Sequence, residues 1–207
     1  MLVSAPALGR AQERSAREVH VEPPPAPEDR EPVLAFDVHV SAIAPIANDG
    51  LCPGTARCVF GGGGGVGGSV ERRFASGFAV ALGYDALFID ASGVYEIGVV
   101  QFLRAAARFV FFPRELWHLV IDAGVGALVF GETFRVAAAG GAFQLGVGAE
   151  VEVTHTIALT AALVTRVLTT TAFRTPDAAV PEGVLRGDGT SFDTALALQL
   201  GIQIVEP

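Results

Sequence analysis

No apolar run in this 207-residue chain reaches the roughly 18 residues that a membrane-spanning helix needs, because Gly, Asp, Glu, Arg or Gln interrupts every stretch. Spanning helices therefore do not explain its hydropathy. Charge is scarce, at 17% of residues, whereas 51% are hydrophobic and the mean hydropathy is +0.48. Such a chain is poorly suited to water. The remaining membrane-compatible arrangement is a closed β-barrel, in which every backbone N–H and C=O is paired with a neighbouring strand. Clusters of basic residues are also missing: the net charge is -8 and the pI about 4.9, which excludes nucleic acid as a partner. Only two cysteines occur, Cys52 and Cys58. Their closeness between two strand-like segments predicts a local disulfide and hence an oxidising compartment, a pair of reduced thiols being the competing reading. A zinc site is disfavoured, since there is no third thiol and no histidine nearby.

Residues 1–33 differ from the rest. Met1 to Gln12 are small and apolar around Ala5-Pro6-Ala7, like the last part of a secretory signal, and Glu13 to Pro32 form a charged linker with Pro23-Pro24-Pro25. From residue 34 to 207 the dominant signal is alternation with period two, which sorts side chains onto the two faces of a strand. Phe192, Leu196, Leu198, Leu200, Ile202 and Ile204 share one parity; Asp193, Ala195, Ala197, Gln199, Gly201 and Gln203 take the other. Similarly, Phe143, Leu145, Val147 and Val151 oppose Gln144, Gly146, Gly148, Glu150 and Glu152. A helix, with period 3.6, would mix these sets. Comparable segments begin at Leu34, Phe78, Tyr95, Trp117 and Ile157, and a glycine-dominated one spans Val59 to Arg72, for about eight strands.

The connections alternate in length. Short turns are expected at Arg72 to Ala75, Pro113 to Leu116 and Val153 to Thr156; longer loops at Pro45 to Cys58, Asp90 to Gly93, Gly131 to Ala137 and Arg174 to Thr190. This rhythm suits an up-and-down meander with a short-turn, periplasmic end and a long-loop, outer end. Aromatics are expected as two girdles, Phe36, Phe74, Phe109, Phe111 and Trp117 at one end and Phe60, Tyr84, Phe88, Tyr95, Phe130, Phe173 and Phe192 at the other. A soluble barrel would put its bulky residues inside. Here the charged residues share a face with Gly and Ala, so an interior network is expected from Asp37, Glu71, Asp85, Glu96, Arg104, Arg108, Asp122, Glu150, Glu152 and Arg166.

From Leu34 to Val205 the chain resembles the small outer-membrane β-barrel family typified by the transmembrane domain of outer membrane protein A. The segment Leu198-Gln199-Leu200-Gly201-Ile202-Gln203-Ile204 is similar to the assembly signal that ends such barrels, without its terminal aromatic. The resemblance implies an eight-stranded antiparallel transmembrane barrel in the outer membrane of a Gram-negative-type bacterium, with outer-membrane lipid and the barrel assembly machinery as partners, and outer loops able to meet a ligand.

Motifs for chemistry are few. The run Gly61 to Gly68 lacks the Gly-Lys-Ser/Thr of a phosphate loop and reads as a strand suited to curvature and close approach. His39 and His118 share the inward face with Asp37, Ser41 and Asp122, a superficial Ser/His/Asp set that reads as an interior network; His20 and His155 fall in the linker and a turn. Gly187-Asp188-Gly189-Thr190 lacks spaced acidic ligands for calcium and reads as a turn. No catalytic residue, metal or cofactor is assigned. The leading expectation is a structural, envelope-integrity or surface-contact barrel; a porin-like channel and a lipid-acting enzyme are the alternatives, and a soluble lipocalin-like carrier is the architectural rival.

Overall fold

A computed structural model describes residues 32–54, 56–111, 116–132, 135–177, 180–189 and 191–206. The signal-like segment and linker, and most of the expected Pro113 to Leu116 turn, lie outside the described residues. There is no helix among the described residues. The strands are β1 (Val33–Ala47), β2 (Gly63–Arg73), β3 (Phe78–Ile89), β4 (Gly98–Phe111), β5 (Trp117–Glu132), β6 (Arg135–Thr154), β7 (Ile157–Thr170), β8 (Phe173–Asp177), β9 (Val180–Arg186) and β10 (Asp193–Val205). Eight of them close a barrel in the order β1-β10-β7-β6-β5-β4-β3-β2, every pair antiparallel. Closure leaves no unpaired edge.

Period two in the sequence becomes inside and outside in the barrel. In β10, Leu198, Leu200, Ile202 and Ile204 are exposed, while Asp193, Ala195, Ala197 and Gln203 are buried. In β1, Leu34, Phe36, Val38 and Val40 face out, and Ala35, Asp37, His39 and Ser41 face in. A continuous apolar band thus covers the outer wall, the inverse of a water-soluble barrel. Gln101, a polar residue on this wall, is satisfied there by Tyr84, whose hydroxyl donates to its Oε1 at 2.9 Å.

Three expectations are corrected. First, Arg174 to Thr190 is more than a loop: β8 and β9 pair as a hairpin inserted between β7 and β10. Second, Phe60, Phe130 and Phe173 are not girdle residues. They are buried, with ring centroids 5.7 Å apart for Phe130 and Phe173 and also for Phe130 and Tyr95. Third, the interior is polar only at its short-turn end and in the middle. Toward the outer end it is filled by Ile43, Leu87, Val100, Phe102, Leu128 and Leu168, continuous with Leu51 and Val59 of the β1–β2 loop. The girdle residues that do face out are Phe36, Phe74, Phe109 and Trp117 below and Tyr84, Phe88 and Phe192 above.

Candidate functional site

The glycines of β2 and β3 make room for the interior charges. A Cβ on Gly67 would collide with the Asp85 carboxylate and lie 2.5 Å from His39 Nε2; one on Gly83 would lie 2.9 Å from Arg104 Cζ. Large polar side chains from neighbouring strands occupy the space that these positions leave.

The lower polar layer joins four strands. Arg73 of β2 donates through Nε to Glu71 Oε1 at 2.6 Å, and through Nη2 to Glu150 Oε1 and Oε2 at 2.7 and 2.8 Å and to Gln203 Oε1 at 2.6 Å. Arg108 of β4 donates to the same two acids, Glu71 at 2.7 Å and Glu150 at 3.3 Å. Two guanidiniums and two carboxylates therefore compensate one another in a buried layer, where charge-assisted hydrogen bonds are strong and a lone charge is costly. At the rim below, His118 Nε2 lies 3.0 Å from Glu152 Oε1.

The middle layer centres on Asp85, which is fully buried. It accepts a hydrogen bond from Arg166 Nη2, lies 3.5 Å from Arg104 Nε, and faces His39 Nε2 at 3.0 Å. The other ring nitrogen, His39 Nδ1, lies 2.6 Å from Asp37 Oδ1, and Thr160 donates to Asp37 Oδ2 at 3.2 Å. Gln144 donates to Asp122 at 3.0 Å. Above this layer the Arg166 guanidinium stands 4.5 Å over the Phe102 ring, the point where polar contents give way to the apolar plug. Ser41 accepts from Gln199 at 3.4 Å, and both ring nitrogens of His39 are turned to carboxylates, so these groups do not form a nucleophile-and-base pair.

The outer end is closed by its own loops. Cys52 and Cys58 form a disulfide in the β1–β2 loop. Asp193 accepts from the backbone N–H groups of Gly50 and Leu51 at 3.1 and 3.2 Å. Arg186, from β9, donates to Thr175 Oγ1, the Leu51 carbonyl and the Arg57 carbonyl, each at 2.6 Å. These bonds bring both loops over the Phe60, Phe130 and Phe173 cluster.

Eight of the ten expected network residues are gathered inside. Glu96 is corrected: it is exposed in the loop before β4, because Ser92 and Gly93 turn the chain at positive φ and the strand starts only at Gly98. Glu152 is corrected in part. It sits at the rim with its side chain 46% exposed, where it meets His118. Arg73, missed from the sequence, shares parity with Ser69 and Glu71 and could have been assigned from that alternation. Gln203 and Gln144 likewise had the inward parity. Arg186 carried no such signal.

No protein-family model and no curated protein matches this sequence. Solved structures do. Neisserial surface protein A is 11% identical with a TM-score of 0.58, over 83% of this chain and 96% of that one. The outer membrane protein OprG from Pseudomonas aeruginosa is 9% identical with a TM-score of 0.53, over 87% of this chain and 98% of that one. At such identities the likeness is one of architecture. The chain has the fold of the small outer-membrane β-barrels, eight antiparallel strands closed around a filled interior.

Proposed function

We propose that this chain is an outer-membrane barrel of a Gram-negative-type bacterium, sealed along its axis, with a structural, envelope-integrity or surface-contact role. The apolar outer wall supports the membrane location, since Val38, Leu82, Leu103, Val125 and Leu200 would be badly placed in water. The observation that carries the sealed interior is burial at every level. Glu71, Asp85, Arg166, Leu128, Phe130 and Leu51 run from the periplasmic end to the outer loop, and water reaches none of them appreciably. A diffusion channel would wet its lining. The cavity of about 10 Å³ bounded by Phe102, Arg104, Gly126, Gln144 and Arg166 is room for a single water, not a path.

With the bore closed, contact with the surroundings falls to the outer wall and the loops. Surrounding lipid covers the wall, and β10 would carry the signal read by the barrel assembly machinery. The β8–β9 hairpin and the disulfide loop form the surface presented outside. Membrane fractionation followed by electrophoresis in detergent tests the reading. Protein in the outer-membrane fraction whose unheated form migrates differently from its heated form supports it; recovery only in the soluble fraction removes it.

A further inference from the structure

The outer wall of the barrel is not smooth. A groove of about 660 Å³ crosses it from Leu34 of β1, beside Arg72, to β6, with Ala105, Ala107 and Ala123 as its floor and Leu82 and Phe143 among its walls. Register explains its course. Arg72 pairs with Val80, Val80 with Ala107, and Ala107 with Ala123; one row up, Val70, Leu82, Ala105, Val125 and Phe143 are partners in turn. Arg72 stands one residue from the end of β2, whereas Leu145, the β6 partner of Ala123, stands midway along β6, so the row climbs from the periplasmic rim toward the middle of the wall. Four steps between strands cover about 19 Å. With strands tilted by about 40°, that run rises about 12 Å, most of one leaflet's share of a hydrocarbon core about 30 Å thick.

The mouth of the groove is cationic. Among the described residues of the eight barrel strands, Arg72 is the charged side chain on the outward parity at this end of the wall; Arg135 is exposed at the opposite, outer end of β6, beyond its register shift. Arg72 thus lies at the low end of an otherwise apolar track, with its guanidinium 5.9 Å from the Phe74 ring. All 14 basic residues of the chain are arginines, and a guanidinium can meet two phosphate oxygens at once.

We infer that the groove holds one phospholipid of the periplasmic leaflet, its phosphate on Arg72 and an acyl chain laid along Ala107, Ala105 and Ala123 toward Phe143. This rests on the membrane-spanning reading above. The height of the cation, the apolar track and its length together fit a lipid with an anionic head near the periplasmic interface. A second copy of the chain would leave Arg72 facing an apolar wall.

The test is native mass spectrometry of the full chain folded in detergent micelles, with phosphatidylglycerol and diacylglycerol of the same acyl chains added separately. One phosphatidylglycerol should be retained per barrel. Diacylglycerol should be retained about tenfold less, and Arg72→Gln should lower phosphatidylglycerol retention by about the same factor, the worth of a charge-assisted bond. Ala107→Phe should reduce both lipids by filling the floor. Should that variant fail to fold, Arg72→Gln at the rim decides alone. Equal retention by Arg72→Gln and the unmodified chain, or no retained lipid, overturns the inference. So does a dimer mass that disappears in Ala107→Phe, which would give the groove to a second copy. Gel mobility on the same samples separates the two readings: loss of the heat-dependent shift in the unmodified chain defeats the membrane barrel itself, while an intact shift without lipid defeats only the groove.

Discussion

Arg73 and Glu150 join opposite walls of the barrel. In the closed order, β2 and β6 are four strands apart in either direction, and Arg73 Nη2 reaches both Glu150 oxygens at 2.7 and 2.8 Å. Arg166 of β7 and Asp85 of β3 make a second such cross-brace in the layer above. Neighbouring strands are already held by backbone pairing. These ion pairs instead fix the diameter, and they order the small interior left by the glycines.

Removing one partner of such a brace leaves the other charged and buried. Arg73→Met should therefore destabilise the barrel by about 3 to 5 kcal/mol. Arg73→Met combined with Glu150→Gln should cost less than the sum of the two single changes. Urea unfolding from lipid vesicles, followed by the fluorescence of Trp117, the one tryptophan, measures this. Strict additivity would mean that the pair is not coupled.

The facing assignment makes a sharper contrast at adjacent positions. Leu198→Arg near the middle of β10 should cost about 2 to 4 kcal/mol of insertion free energy. Gln199→Ser, one residue on and turned inward, should cost far less. Equal losses at both positions would reverse the inside and outside of β10.

The two classes of phenylalanine should separate in the same assay. Phe130 is 1% exposed and Phe88 is 53% exposed. Phe130→Ala should cost about 3 to 5 kcal/mol, as large core truncations do, and Phe88→Ala clearly less. A similar loss at both would return Phe130 to the girdle.

Opening the Cys52–Cys58 disulfide should loosen one loop and spare the barrel. The bond closes a ring across a separation of 6 residues, so its effect on the unfolded chain is less than about 3 kcal/mol. Replacing both cysteines with alanine should retain heat-dependent mobility and speed tryptic cleavage after Arg57. Unchanged cleavage would show that Arg186, which holds the Arg57 carbonyl, governs this loop alone.

Much of the architecture was legible because a barrel wall is periodic. The alternation of Leu198 with Gln199, or of Val147 with Gly148, states which side of the wall each residue occupies. It does not state what fills the barrel at that height. Asp37 and Ile43 share a parity in β1, as do Asp85 and Leu87 in β3, yet the first of each pair lies in the polar layer and the second in the apolar plug. Depth follows from shear and from the loops that fold over the mouth, neither of which periodicity records. Phe130 was readable from its parity with His118 and Asp122, whereas Phe60 lies in a loop and Phe173 in the added hairpin, where barrel parity is undefined. Glu96 was assigned by extending β4 past its start. Arg186 binds backbone carbonyls of a distant loop, a contact with no local pattern.

Ion conductance tests the sealed interior most directly. The full chain, first shown to be folded by its gel mobility, is reconstituted in planar bilayers under an applied voltage. With Glu71, Asp85, Arg166 and Phe130 closing the bore at successive heights, the membrane should show at most small, intermittent current. Large, steady, ion-permeable openings from the unmodified protein would contradict the sealed barrel and make it a channel.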